Sequence, residues 1–245
     1  MSHRMVNVAH RGASATRPEN TLAAFRRAIE VGADMIELDA RATADGVAVV
    51  MHDGAVDRTT NGSGPLANLT LKRVKALDAG SWFAEEFAGE PVPTLTEVVS
   101  LTAGRIALDI ELKETGFEQQ AVEALRRAGN GWSFISSFND GCLKRVREID
   151  AGVRTGLIVA IGELSDGQIT ELIERTRGLG ASILAALHSG ITPALVEAAN
   201  AADISLVAWT VDRRDDMRRM MDLGITGIAT NYPEVLQDML ERGNV

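Results

Sequence analysis

A single cysteine, Cys142, in 245 residues excludes any disulfide within the chain. Its place in the helical run CLKRVREI suits a small buried hydrophobe. Aromatic residues make up only 4%, so a core must be built from Ala, Val, Ile and Leu, which suits the layered interior of an α/β barrel. No stretch reaches the ~18 consecutive apolar residues of a membrane span. Basic residues are outnumbered, with 25 Lys and Arg against 34 Asp and Glu and a formal charge of −9. That balance argues against nucleic acid as a partner and against charge-driven docking on an anionic membrane, and no stable membrane association is expected. An anionic ligand would need local positive charge from a metal ion or a few placed Arg and Lys. No GxGxxG or GxxxxGK[ST] loop is present to support an open nucleotide-binding sheet. The chain runs almost at once into VNVAHRG, with no room for a secretory leader, so a cytoplasmic location is expected. Association into a homo-oligomer is compatible with everything in the sequence.

What is present is a regular alternation. Short β-branched or apolar runs at Val6–His10, Met35–Arg41, Ile106–Lys113, Ser133–Ser136, Arg154–Ile158, Ser182–Ala186, Ser205–Trp209 and Gly227–Thr230 read as strands. Amphipathic helical runs follow at Asn20–Val31, Thr94–Thr102, Glu118–Ala128, Asp140–Ile149, Asp166–Arg177, Pro193–Ala201, Arg213–Leu223 and Pro233–Arg242. Pro193 and Pro233 sit in first turns, where a missing N–H costs nothing, and Gly32, Gly104, Gly129 and Gly224 follow helical runs as terminating glycines do. Eight strand–helix units predict a parallel sheet closed into a (β/α)8 TIM barrel forming one catalytic domain over 1–245.

One connection breaks the rhythm. About 50 residues, Ala42–Pro93, separate the second strand from its helix, and a connection that long inside a compact domain is usually functional or disordered. This one carries a short strand at Val47–Met51, the turn Asn61-Gly62-Ser63-Gly64-Pro65, a helical run Leu71–Leu77 and the pair Trp82-Phe83. It therefore reads as an ordered insertion, 53–93. It leaves from the C-terminal end of its strand and so is expected to cap the face where barrel active sites lie.

Side chains alternate faces along a strand. In Met35–Arg41, Ile36 and Leu38 suit packing against helices, whereas Glu37, Asp39 and Arg41 point into the barrel. In Ile106–Lys113, Ile106, Leu108, Ile110 and Leu112 face out, and Asp109, Glu111 and Lys113 face in. Carboxylates gathered at one place repel, and one would take up a proton if left alone. Two resolutions are open: a hard divalent cation, Ca²⁺ or Mg²⁺, bound by oxygen ligands, or a salt-bridged layer in which Arg41 and Lys113 neutralise the acids. His10 ends the first strand and His52 follows the Val47–Met51 strand, both near the acids. Imidazoles titrate near neutral pH, so a pair can serve as base and acid in one turnover. Phosphodiester cleavage needs such a set: a base, an acid for a poor leaving group, and positive charge from a metal, Arg11 and Lys113 to offset charge on the phosphoryl oxygens.

The series His10-Arg11-Gly12, Pro18-Glu19-Asn20-Thr21, Glu37-Leu38-Asp39, His52-Asp53, Asp57-Arg58-Thr59-Thr60-Asn61-Gly62 and Glu111-Leu112-Lys113 resembles the glycerophosphodiester phosphodiesterase family. Ser136-Ser137-Phe138, Trp209-Thr210-Val211 and Gly227–Pro233 also fit, so the resemblance runs over nearly the whole chain. It implies hydrolysis of small glycerophosphodiesters to glycerol 3-phosphate and an alcohol. It further implies His10 and His52 as the acid–base pair, Glu37, Asp39 and Glu111 as metal ligands, and Arg11 and Lys113 as phosphate holders. The sequence departs from the family pattern at Asp212, where Asn is usual, and at Asn231, where Asp is usual, which bears on substrate preference more than on activity.

Other residues carry weaker expectations. Trp209, at a strand end, is expected in the pocket; Trp82 and Phe83 could line it or pack in a core. Glu19 is expected to interact with its helix N-terminus or, alternatively, to contact the residues of the active site, Arg58 to brace the insertion, and His188 to be a loop histidine. His3 is expected to be uninvolved, and Asp212–Arg219 to be a solvated helix start. Two alternatives compete with the family reading. A phospholipase C- or D-like enzyme acting on intact lipid would need an exposed apolar or basic rim. An inactive barrel that only binds phosphodiesters would tend to have lost a His or a carboxylate.

Overall fold

Alternate residues of eight parallel strands meet inside a closed barrel in the computed structural model, which describes residues 5–129 and 131–242; His3 lies outside the described residues. The elements run β1 (Val6–His10), α1 (Leu22–Glu30), β2 (Met35–Ala42), β3 (Ala48–Val50), α2 (Leu71–Val74), α3 (Leu95–Thr102), β4 (Ala107–Leu112), α4 (Glu118–Ala128), β5 (Phe134–Ser137) and α5 (Asp140–Ile149). They continue β6 (Thr155–Val159), α6 (Asp166–Gly178), β7 (Ile183–Leu187), α7 (Pro193–Ala201), β8 (Ser205–Trp209), α8 (Arg214–Asp222), β9 (Gly227–Thr230) and α9 (Pro233–Arg242). The parallel pairings run β1–β2–β4–β5–β6–β7–β8–β9, and β9 pairs back onto β1, so the ring has no free edge. Among the described residues only β3 is outside it, antiparallel to the end of β2.

The pleat sorts the side chains. Ile36, Leu38, Leu108, Ile110 and Leu112 pack outward with Phe25, Val98 and Val122 of the helices. Leu157, Leu184, Leu206 and Ile228 do the same against α6 to α9. Cys142 is fully buried in the first of these clusters. Inside the barrel, Val8, Met35, Ala107, Phe134, Ile183 and Ala229 fill the floor. Gly156 makes this layer possible: a Cβ there would lie 3.0 Å from the Phe134 ring. Burying each of these aliphatic or aromatic side chains contributes roughly 1.5–3 kcal/mol, and together they form a solid plug under the open end.

Local signals set the helix ends. Thr94 caps α3 with a reciprocal bond to Glu97, and Ser165 caps α6 with Gln168 in the same way. Pro193 opens α7 at its first turn. Helix α1 starts two residues later than its apolar pattern suggests, because Thr21 is its cap and Asn20 adopts a left-handed φ of 58°.

The long connection after β2 has its own small core, in which Val49, Met51, Val56, Leu66, Val74, Ala79 and Val92 are buried together. Its helix is shorter than the expected Leu71–Leu77, ending at Val74.

Candidate active site

Strand register brings the polar residues to one level. His10 is paired with Glu37 across β1 and β2, Glu37 with Asp109 across β2 and β4, and Asp39 with Glu111 one pleat higher. All four acids point inward above the apolar floor and are buried. One oxygen each from Glu37, Asp39 and Glu111 lies within 4.8 Å of the others. Oxygens of this kind suit a hard divalent cation. Glu37 Oε1 is buried without a hydrogen-bond partner among the described residues, an omission that costs free energy unless a ligand satisfies it. The trio therefore fits a metal ion by donor chemistry and by the orphaned oxygen.

Cations of the chain surround the acids. Lys113 Nζ lies 2.8 Å from Asp39 Oδ1 and 2.5 Å from Glu111 Oε1. Arg11 Nε is 3.2 Å from Asp39 Oδ2, and its backbone N–H donates to Glu37 Oε2 at 2.8 Å. That last bond needs the left-handed φ of 57° at Arg11, a conformation rare for a long side chain and typical of functional turns. Gly12 follows with φ 81°, and a Cβ there would lie 2.7 Å from the Ala24 backbone. The His-Arg-Gly turn is thus shaped by close contact with α1.

Electrostatics divide the acids. Burial would raise Asp39, but Lys113 and Arg11 outweigh it and hold the carboxyl well below its usual range. Burial and the neighbouring carboxylates push Glu37 well up. Burial and Asp39 push Glu111 up to about 7, and burial is the largest cause that takes Asp109 up to about 8. Asp109 also accepts from Ser136 Oγ at 2.5 Å. Four acids in one buried layer cannot all ionise without added positive charge.

The two imidazoles are held differently. His10 Nδ1 lies 2.7 Å from Asn231 Oδ1, and Nε2 lies 4.0 Å from Glu37 Oε2. Burial and the charge of Arg11 push His10 down to about 4. His52 Nδ1 donates to Asp53 Oδ1 at 2.6 Å; burial lowers its pKa, and the Asp39 and Asp53 carboxylates oppose that shift. Arg58 donates to Asp53 Oδ2 at 2.6 Å and to both oxygens of Glu19 at 2.8 Å. Glu19 in turn accepts from Arg11 Nη1 at 2.8 Å. The insertion is therefore laced to the first barrel turn by a chain of ion pairs.

A cavity of about 300 Å³ opens between these groups. His10, Arg11, Glu37, His52, Glu111 and Lys113 form one wall. Phe138, Ile158, Ala185, Val207, Trp209 and Ala229 form the other. Trp209 meets Phe138 edge to face at 5.5 Å, and its Nε1 donates to the Ala185 carbonyl at 3.1 Å.

Several sequence expectations change here. Arg41 does not neutralise the inward acids: at the end of β2 that pairs with β3, it donates to the His52 carbonyl and to Glu114. Trp82 and Phe83 do not line the cavity; Phe83 meets Trp82 and Phe87 edge to face on the insertion. Glu19 bridges Arg11 and Arg58 rather than serving its helix N-terminus. Asp212 lies on the exposed approach to α8, as expected, and also accepts from Asn231 and Thr230, so the two positions that depart from the family pattern touch each other. His188 sits away from the cavity, its carbonyl accepting from Arg219.

Asn20 received no role from the sequence, yet its Nδ2 donates to Asp39 Oδ2 at 2.6 Å and its Oδ1 accepts from the Asp39 backbone N–H. A polar residue capable of a left-handed φ, just ahead of a capped helix, was the available signal. Glu114, which accepts from Arg41 and the Ala42 N–H, gave none.

Comparison with known proteins decides the family. Residues 10–235 match the model of the glycerophosphoryl diester phosphodiesterase family. The chain belongs to that family. With membership comes the enzyme class, a phosphodiesterase acting on glycerophosphodiesters. A glycerophosphodiester phosphodiesterase of Caldanaerobacter subterraneus subsp. tengcongensis is 40% identical, over 96% of this chain and 98% of that protein. An Oleispira antarctica phosphodiesterase, solved in complex with the product sn-glycerol-3-phosphate, superposes with a TM-score of 0.87 at 29% identity, covering 97% of this chain and 96% of the other. The glycerophosphodiester phosphodiesterase of Agrobacterium tumefaciens gives 0.84 at 30% identity, over 96% and 99%.

Proposed function

We propose that this enzyme hydrolyses small glycerophosphodiesters to glycerol 3-phosphate and an alcohol, with His10 and His52 as the acid–base pair and Glu37, Asp39 and Glu111 as ligands of Ca²⁺ or Mg²⁺. The observation that carries this reading is the trio of buried carboxylates with oxygens within 4.8 Å of one another, beside two imidazoles on the same wall of one cavity. When bound, the cation supplies positive charge against the phosphoryl oxygens.

The chain's own groups do the rest. Arg11 and Lys113 hold the phosphodiester by charge-assisted bonds. One imidazole takes the proton of the attacking hydroxyl or water, and the other returns a proton to the departing alkoxide, which is too basic to leave unprotonated. Trp209 and Phe138 cover carbon-bound parts of the substrate on the apolar wall. Segment 53–93 caps the site, and His52, just after β3, is held by Asp53 at the start of that segment. The neighbour from Oleispira antarctica, solved with sn-glycerol-3-phosphate, supports the product side of this reading. Among the described residues no helix is long and apolar enough to cross a membrane.

The test is a panel of soluble glycerophosphodiesters, assayed by coupled detection of glycerol 3-phosphate, and of phospholipid vesicles, assayed by headgroup release, with Ca²⁺, Mg²⁺ or chelator present. The expected result is metal-dependent release from the soluble diesters. Turnover of vesicle lipid alone, or none with any metal, would overturn the proposal.

A further inference from the structure

Behind His10, on the side away from the carboxylates, lies a set of hydrogen bonds that the reaction itself does not require. Asn231 Oδ1 is 2.7 Å from His10 Nδ1. Asn231 Nδ2 is 2.7 Å from Asp212 Oδ2, and the Asn231 backbone N–H donates to Asp212 Oδ1 at 2.9 Å. Thr230 Oγ1 also donates to Asp212 Oδ1, at 3.1 Å. Ser14 Oγ, 2.8 Å from both the His10 carbonyl and Asn231 Oδ1, can give its one proton to either.

An amide can be turned either way in such a network, and its neighbours decide which. A carboxylate only accepts, so the Asn231 NH₂ must face Asp212 and the carbonyl oxygen must face His10. That oxygen only accepts as well. His10 Nδ1 must then carry the proton, which leaves the lone pair of the uncharged ring on Nε2.

We propose that Asp212 and Asn231 form a positioning pair that fixes His10 in the Nδ1–H tautomer, with an unprotonated Nε2 offered to the substrate. Neither residue lines the cavity; Asp212 orients Asn231, and Asn231 touches the His10 ring. Asn231 reaches His10 from 221 residues along the chain, and the β1–β9 seam brings the two ends together. Its catalytic meaning rests on His10 being one of the acid–base pair, whereas the tautomer is a property of the protein alone.

The experiment is long-range ¹H–¹⁵N correlation NMR on the full chain labelled at histidine nitrogens, metal-free at neutral pH, with His10 assigned by its loss in His10→Gln. Wild type is expected to show His10 protonated at Nδ1 and bare at Nε2. Asp212→Ala frees the amide to turn, so the Nε2–H form is expected to appear. Turnover on a soluble glycerophosphodiester should fall on the order of 10–100-fold, as for other residues that orient a functional histidine, with KM little changed. The double exchange Asp212→Asn with Asn231→Asp restores an acceptor at His10 and a donor behind it, and should recover the Nδ1–H form and most of kcat. An Nε2–H His10 in wild type would overturn the inference without any variant having to fold. So would Asp212→Ala with unchanged tautomer and kcat. Absence of diesterase activity in wild type would instead strike the proposed function and leave the tautomer result standing.

Discussion

The two walls of the cavity are built from the same repeating unit and share almost no chemistry. Strands β2 and β4 send Glu37, Asp39, Asp109 and Glu111 inward, whereas β6, β7 and β8 send Ile158, Ala185, Val207 and Trp209. The outward faces of both halves are alike, rows of Leu, Ile and Ala against helices. Packing against the helices therefore constrains one face of each strand, and the inner face is free to diverge. The charged half concentrates buried acids that are costly to hold without a cation. The apolar half costs nothing to hold and can only shape what sits beside the charge.

Changes on the charged wall should have the largest effects. His10→Ala and His52→Ala should each lower kcat by roughly 10²–10⁴-fold, with circular dichroism and unfolding midpoint close to wild type; near-normal turnover in both would remove the imidazoles from the mechanism.

The next effect concerns stability. Asp109 is pushed up to about 8 by burial, against an ordinary value near 3.9 in the unfolded chain. The folded form therefore binds the extra proton between those values, and stability falls as pH rises from about 4 through about 8. Asp109→Asn mimics the protonated acid. In chelator, its advantage over wild type should grow across that window to a few kcal/mol and level off above it, as read from denaturant unfolding at a series of pH values. A flat difference would mean that Asp109 is not held protonated.

Trp209→Ala probes the opposite wall and should be gentler. Loss of its face in the cavity and of the contact with Phe138 should raise KM several-fold, equivalent to about 1 kcal/mol, with kcat within a few-fold. A loss of kcat as large as that of the histidine variants would erase the distinction between the walls.

The sequence shows the scaffold more plainly than the site. The inward parity of Glu37, Asp39, Asp109 and Glu111 follows from a period of two, and the eight barrel strands lie within about one residue of their expected bounds. Periodicity is a local signal that a buried strand cannot avoid writing. Asn20, Asp53, Asn231 and Glu114 act by hydrogen bonds made from loops, which leave no pattern along the chain. Arg41 shows the limit of parity itself: its alternation placed it among the acids, but the last residues of β2 pair with β3, and its guanidinium reaches Glu114. Trp82 and Phe83 enter neither the cavity nor the core of the insertion: they meet edge to face near its surface, with Trp82 exposed.

The central claim is that the buried carboxylates are a cation site. Calorimetric titration of Ca²⁺ and of Mg²⁺ into chelator-stripped protein tests it most directly, beside Glu37→Gln, Asp39→Asn and Glu111→Gln. One ion per chain, lost or greatly weakened in each variant, is the result expected. Binding that survives all three substitutions, or no binding by the unaltered protein, would contradict the account.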